Sequence, residues 1–123
     1  MATFLNSYLP HFLVEITAGT STQVIHMSTD CVFSGKRGAY TEDDFPDGET
    51  FYDRSKALGE ICDEKNLTLR NSIVGPDLNP NGIGLLNWFM HQQDGINGFT
   101  GAIWTGQTTL QLAKTMEKAA EER

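Results

Sequence analysis

The chain has 123 residues, 39% of them apolar and 20% charged, a balance that fits a folded domain and excludes a disordered tail. Nine lysines and arginines stand against 16 acids, for a formal net charge of −7, which excludes a basic nucleic-acid coat and a surface built for anionic membranes. No apolar run approaches the roughly 18 residues that span a bilayer. The start of the chain lacks a basic leader, so a secretion signal is not expected. Cys31 and Cys62 lack CxxC or metal-ligand spacing and are expected as reduced, mostly buried thiols in a cytoplasmic protein.

In chain order, Phe4, Leu5, Leu9, Phe12, Leu13 and Ile16 recur at helical spacing and predict a first helix over residues 3–16. Pro10 interrupts it, so its regular part should begin near that residue, where a missing N–H costs least. Residues 23–27 (QVIHM) read as a short strand that Ser28, Thr29 and Asp30 stop. His26 is expected as a hydrogen-bonded strand residue. Residues 34–50 hold three glycines and five acids and read as a solvated loop. In that loop Lys36 and Arg37 read as a solvated basic pair.

A second helix is predicted over residues 51–64, then a strand over 67–74 (LTLRNSIV) closed by Gly75 and Pro76. A short helix over 85–92 carries Leu85, Leu86, Trp88 and Phe89, whose clustering predicts packing rather than ligand stacking. A strand over 99–104 and a last helix over 105–122, with Leu110, Ala113, Met116 and Ala120 on one face, complete the chain. Helices alternating with short strands predict an α/β layer with a mainly parallel sheet.

Gly95, Gly98 and Gly101 imitate a dinucleotide-binding loop by letter. Such a loop must leave a strand and enter a helix, whose N-terminal N–H groups then face the phosphate. The order here is helix first and strand second, so these glycines read as turn formers. No other stretch supplies a phosphate loop.

Thr29, Tyr52 and Lys56 carry the chemistry. Tyr52 and Lys56 are four apart on a predicted helix and share one face. A nearby ammonium stabilises tyrosinate and lowers a phenol's pKa from its usual value near 10. A phenol tuned in this way can pass a proton to a carbonyl oxygen near neutral pH. Thr29 lies just past the C-terminal end of a strand, where open α/β sheets place their ligand crevice. An isolated YxxxK is weak evidence. Its place after a strand ending in STD, and before a strand ending in Arg70-Asn71-Ser72, makes it stronger.

The blocks STDCVFSG (28–35), TEDDFP (41–46), YDRSKALGE (52–60) and LRNSIVGP (69–76) resemble the extended short-chain dehydrogenase/reductase superfamily. They are most similar to the dTDP-4-dehydrorhamnose reductase-like (RmlD-like) sugar-nucleotide reductases. The resemblance implies a Rossmann-like doubly wound parallel sheet, represented by its second half over residues 1–80, with part of a substrate lobe over 81–123. It implies that Thr29 orients a 4-keto oxygen, Tyr52 protonates it, and Lys56 assists Tyr52 and meets the nicotinamide ribose. Ser72 would lie near the nicotinamide, with Val32, Phe33, Asn71 and Trp104 as candidates for the sugar pocket. Hydride would come from NADH or NADPH. The partner would be a nucleotide-sugar, with a homodimer as a candidate assembly and no metal, nucleic acid or membrane.

The resemblance also has departures. Cys31 stands where typical dTDP-rhamnose reductases carry an aromatic residue, and Ile73 where they carry tryptophan. Both reduce the wall near the sugar and turn the expectation toward UDP-linked 4-keto deoxysugars of cell-surface polysaccharides. The family's glycine-rich first unit has no counterpart in the chain, which therefore reads as a middle fragment with weak dinucleotide affinity of its own. Two alternatives stay open: a non-catalytic regulatory or binding protein on the same fold, and a nucleotide-sugar epimerase or dehydratase.

Overall fold

The computed structural model describes residues 1–79 and 81–122. They form a small α/β protein that divides into two units, Met1–Asn71 and Ser72–Arg123. The division falls inside the stretch expected as one strand over 67–74. The boundary expected at residue 80 falls on a position outside the described residues.

The first unit opens with a π-helical turn, Phe4–Tyr8, that runs directly into α1, Leu9–Ile16. Pro10 sits in the first turn of α1. It has no N–H to donate, and the wider register that pairs Leu9 N–H with Phe4 O lets the helix pass through it unbroken. Strand β1, Ile25–Met27, pairs in parallel with β2, Leu67–Leu69, in the register His26↔Thr68.

Helix α2, Phe51–Ala57, is started by a capping box in which Thr50 and Asp53 satisfy each other's backbone N–H groups. It is seven residues shorter than the 51–64 expected. Side chains from the next strand compete for its backbone. Ile61 N–H donates to Thr68 Oγ1 at 2.9 Å, and the same hydroxyl donates to Ile61 O at 3.0 Å. Asp63 then accepts from the N–H groups of Lys65 and Asn66 and turns the chain into β2. Gly59 lies so close to the first helical segment that a Cβ there would come within 1.8 Å of Asn6 O.

In the second unit β3, Ile73–Val74, pairs in parallel with β4, Gln107–Thr108. Helix α3 spans Leu85–Met90, and α4 spans Thr109–Glu121 with Thr108 as its cap. The strand expected over 99–104 does not form. Gly101 falls in a turn and Gly95 and Gly98 in irregular chain, all with open space around them, which suits a connection better than a strand. On α4 Leu112 is buried and Met116 and Ala119 are partly buried, whereas Leu110, Ala113 and Ala120 are exposed, so of the expected face only Met116 turns inward.

The parallel pairing agrees with an α/β class, in the form of two two-stranded sheets. Among the described residues the buried apolar side chains are Val32, Ile61 and Leu112, accompanied by buried Ser28, Thr29, Ser55 and Asn66. Polar contacts therefore hold much of the first unit. Asn6 Nδ2 donates to Ser55 Oγ at 3.0 Å, and Ser7 Oγ to Ser55 O at 2.7 Å. Trp88 and Phe89, expected to be packed, remain about half exposed on α3. Both cysteines are free, as expected, but exposed rather than buried. Cys31 follows the polar end of β1, and Cys62 follows the unwound end of α2.

Candidate active site

Thr29 lies two residues past the end of β1 and caps a 3-10 turn, Asp30–Val32. Its extended backbone lets the hydroxyl accept from Cys31 N–H at 3.2 Å while donating to Asp30 Oδ1 at 3.3 Å. The donated bond is long, so the proton can be redirected to a better acceptor. Thr29 is buried.

Tyr52 and Lys56 lie one turn apart on α2, with Tyr52 half exposed. Lys56 is partly buried, and its Nζ donates to Met27 O at 2.5 Å. That contact joins the YxxxK helix to the end of β1, two residues before Thr29. The contact brings Lys56 to the strand end that precedes Thr29, and Tyr52 is related to both through its place one turn earlier on α2. Burial holds the Lys56 ammonium below the ordinary lysine pKa, with the Glu60 carboxylate pulling the other way.

The direction in which Met27 O points follows from the ladder. Ser28 N–H donates to Leu69 O, and Leu67 N–H donates to Val24 O. In a parallel pair, alternate residues bond the neighbouring strand, so the backbone groups of Ile25 and Met27 face the other edge. Lys56 therefore caps a carbonyl on the unpaired edge of β1.

His26 is not the hydrogen-bonded strand residue expected. Its Nε2 is buried without a partner among the described residues. Burial first, and then the Lys56 charge, lower its pKa. A neutral ring is the less costly form in that setting.

Sequence reasoning gave no role to a second cluster around Glu60. Ser28 Oγ donates to Glu60 Oε1 at 2.7 Å, and Arg70 clasps the same carboxylate through Nε at 2.9 Å and Nη2 at 2.8 Å. Glu60 follows Lys56 by four residues, and this spacing was the available signal. Arg70 also donates to Glu42 O at 3.0 Å and lies over the Phe33 ring. Phe33 stacks on Tyr40, and Arg37 covers the other ring of that pair. The acidic loop is thus ordered by named contacts. Arg37 pairs with Asp44, and Lys36 with Glu49, so the basic pair expected to be merely solvated forms exposed ion pairs.

The remaining expected residues are placed as follows. Val32 is fully buried, and Phe33 is committed to the stack with Tyr40 and Arg70. Asn71 closes the first unit, and its buried Nδ2 has no partner among the described residues. In the second unit, Trp104 Nε1 donates to Ser72 Oγ at 2.6 Å, and its ring lies against Gly106, where a Cβ would come within 2.1 Å. Half of Trp104 remains exposed.

An open cleft of about 720 Å³ lies beside α2, lined by Val32, Phe45, Pro46, Gly48, Ala57 and Leu58 among others. Neither Tyr52 nor Lys56 lines it. Among the described residues no cluster of histidine, cysteine and acidic side chains is arranged to hold a metal ion, and no helix is long and apolar enough to cross a membrane.

The chain matches the family described as the RmlD substrate binding domain over residues 1–74. That stretch is more than half of its length, and the chain belongs to this family. No curated protein and no solved structure matches it.

Proposed function

We propose that this member of the RmlD substrate binding domain family carries the proton-transfer group of an NAD(P)H-dependent reductase. Its substrate would be the 4-keto group of a dTDP- or UDP-linked deoxysugar used in cell-surface polysaccharide synthesis. The observation that supports this reading most is the bond from Lys56 Nζ to Met27 O, because it ties the YxxxK helix to the strand end that bears Thr29. On the same reading, the parallel strand pairs are pieces of a doubly wound sheet.

Reduction of a ketone needs a hydride on carbon and a proton on oxygen. The hydride is what NADH or NADPH supplies when bound, since no side chain can furnish one. The Tyr52 phenol, half exposed and one turn from Lys56, donates the proton to the ketone oxygen. The Lys56 ammonium stabilises the tyrosinate left behind. Thr29 turns its hydroxyl from Asp30 to the ketone oxygen and fixes the direction of transfer.

The residues fit the nicotinamide-ribose end of a cofactor: Tyr52 and Lys56 offer donors there, and Ser72 is assigned to the same end by the resemblance. No strand–glycine loop–helix unit lies among the described residues, so no step is assigned to the pyrophosphate. Asn71, with its unpartnered buried amide, supplies a donor for the sugar. The resemblance alone assigns Val32, Phe33 and Trp104 to the sugar; here Val32 is fully buried and Phe33 packs against Tyr40 and Arg70.

The test is a turnover assay on the natural full-length protein. A 4-keto nucleotide-sugar should be reduced with loss of nicotinamide absorbance from NADH or NADPH. Absence of turnover with both dTDP- and UDP-linked 4-keto sugars contradicts the reading.

A further inference from the structure

Glu60 is the point where three chain ends meet. Its carboxylate, only 5% exposed, accepts from Ser28 at the end of β1 and takes both arms of Arg70 at the end of β2. Glu60 itself follows the last turn of α2 that carries Lys56. An ionised carboxylate only accepts hydrogen bonds, and the bidentate guanidinium fixes its plane. Ser28, buried and adjacent to Thr29, is thereby fixed as well.

Stability alone is a poor reason for such a group. A buried ion pair typically contributes little net stabilisation over apolar side chains of the same volume, because desolvation offsets the attraction. Its geometric consequence is larger. The pair holds the strand that bears Thr29 against the helix that bears Tyr52 and Lys56.

We propose that Glu60 is a positioning residue for the proton-transfer group, acting on Thr29 through Ser28 and on Lys56 through the last turn of α2. This inference rests on the reading of Tyr52, Lys56 and Thr29 given above. The charged and titratable groups that face Lys56 are Glu60, just beyond the end of α2, and His26 on β1, with Arg70 balancing Glu60 from the end of β2.

Ser28→Ala tests the proposal without removing a charge, because it leaves the Glu60–Arg70 pair in place. In the natural full-length protein the variant should stay folded by circular dichroism, shift the NMR signal of the Lys56 Cε group, and lower kcat roughly tenfold with KM unchanged. Ser28→Thr, which keeps a hydroxyl, should restore the wild-type Lys56 signal. Glu60→Gln should additionally move the Lys56 titration to lower pH, since the anion that favours its charged form is gone. A folded Ser28→Ala variant with the wild-type Lys56 signal overturns the proposal, as does a folded Glu60→Gln variant with an unchanged Lys56 titration. If Glu60→Gln does not fold, the Ser28 pair of variants decides. If the wild-type protein shows no turnover, the functional reading falls, while the Lys56 signal still decides the positioning claim.

Discussion

Replacing Gly59 by alanine should strongly destabilise the first unit. An alanine Cβ at that position would lie 1.8 Å from Asn6 O and 2.9 Å from Asn6 C, both backbone atoms that cannot rotate away. Relief requires the π-turn Phe4–Tyr8 to move off α2. That movement strains the bonds from Asn6 and Ser7 to Ser55, each contributing about 1 kcal/mol. Overpacking against fixed backbone adds a cost at the upper end of its usual range, about 3 kcal/mol. The sum, about 5 kcal/mol, is a large share of the stability of an ordinary small domain. It corresponds to a fall in Tm of at least about 10 °C. Thermal and urea unfolding followed by circular dichroism would measure it. A Gly59→Ala variant within about 0.5 kcal/mol of wild type, the range of an indifferent surface change, would refute the close approach of the two helices.

The Arg37 guanidinium, helped by the Thr41 N–H, holds the Asp44 carboxyl at about 2 against an ordinary value of 3.8. A carboxylate depressed in the folded state favours the ordered loop above its ordinary value and loses that effect as pH falls from about 4 toward 2. The Thr41 amide resonance should therefore titrate near pH 2; a midpoint at the ordinary value would show that the Arg37–Asp44 contact is absent in solution. Cys31 and Cys62 are both exposed, so a thiol reagent should label both rapidly in the native protein. Labelling that waits for denaturant would show them buried.

Local features of the fold were legible because their causes are local. Pro10 marks the start of α1 through its missing N–H, Thr50 and Asp53 mark the start of α2 as a capping box, and the spacing of Tyr52 and Lys56 puts both on one face. The end of α2 was not legible, since it depends on Thr68 taking the backbone of Ile61 across a turn. The same holds for the strand expected over 67–74. Its apolar pattern continues through Ile73 and Val74, but those two residues pair with Gln107 and Thr108 in another sheet. At the site, the sequence named the groups that touch substrate on the proposed reading and passed over the Glu60–Arg70 pair. A buried ion pair between residues ten apart leaves no periodic signal, and only tertiary structure selects Glu60 from among 16 acids.

The central claim is that Tyr52 passes the proton to a ketone, and a comparison of the wild-type full-length protein with Tyr52→Phe tests it most directly. Phenylalanine keeps the ring and removes only the phenolic oxygen, which forms no hydrogen bond that the fold would miss among the described residues. With NADH or NADPH and a 4-keto nucleotide-sugar, wild type should turn over, and the variant should lose on the order of 100-fold or more in kcat while unfolding at the wild-type temperature. A Tyr52→Phe variant that reduces the sugar at the wild-type rate would contradict the account.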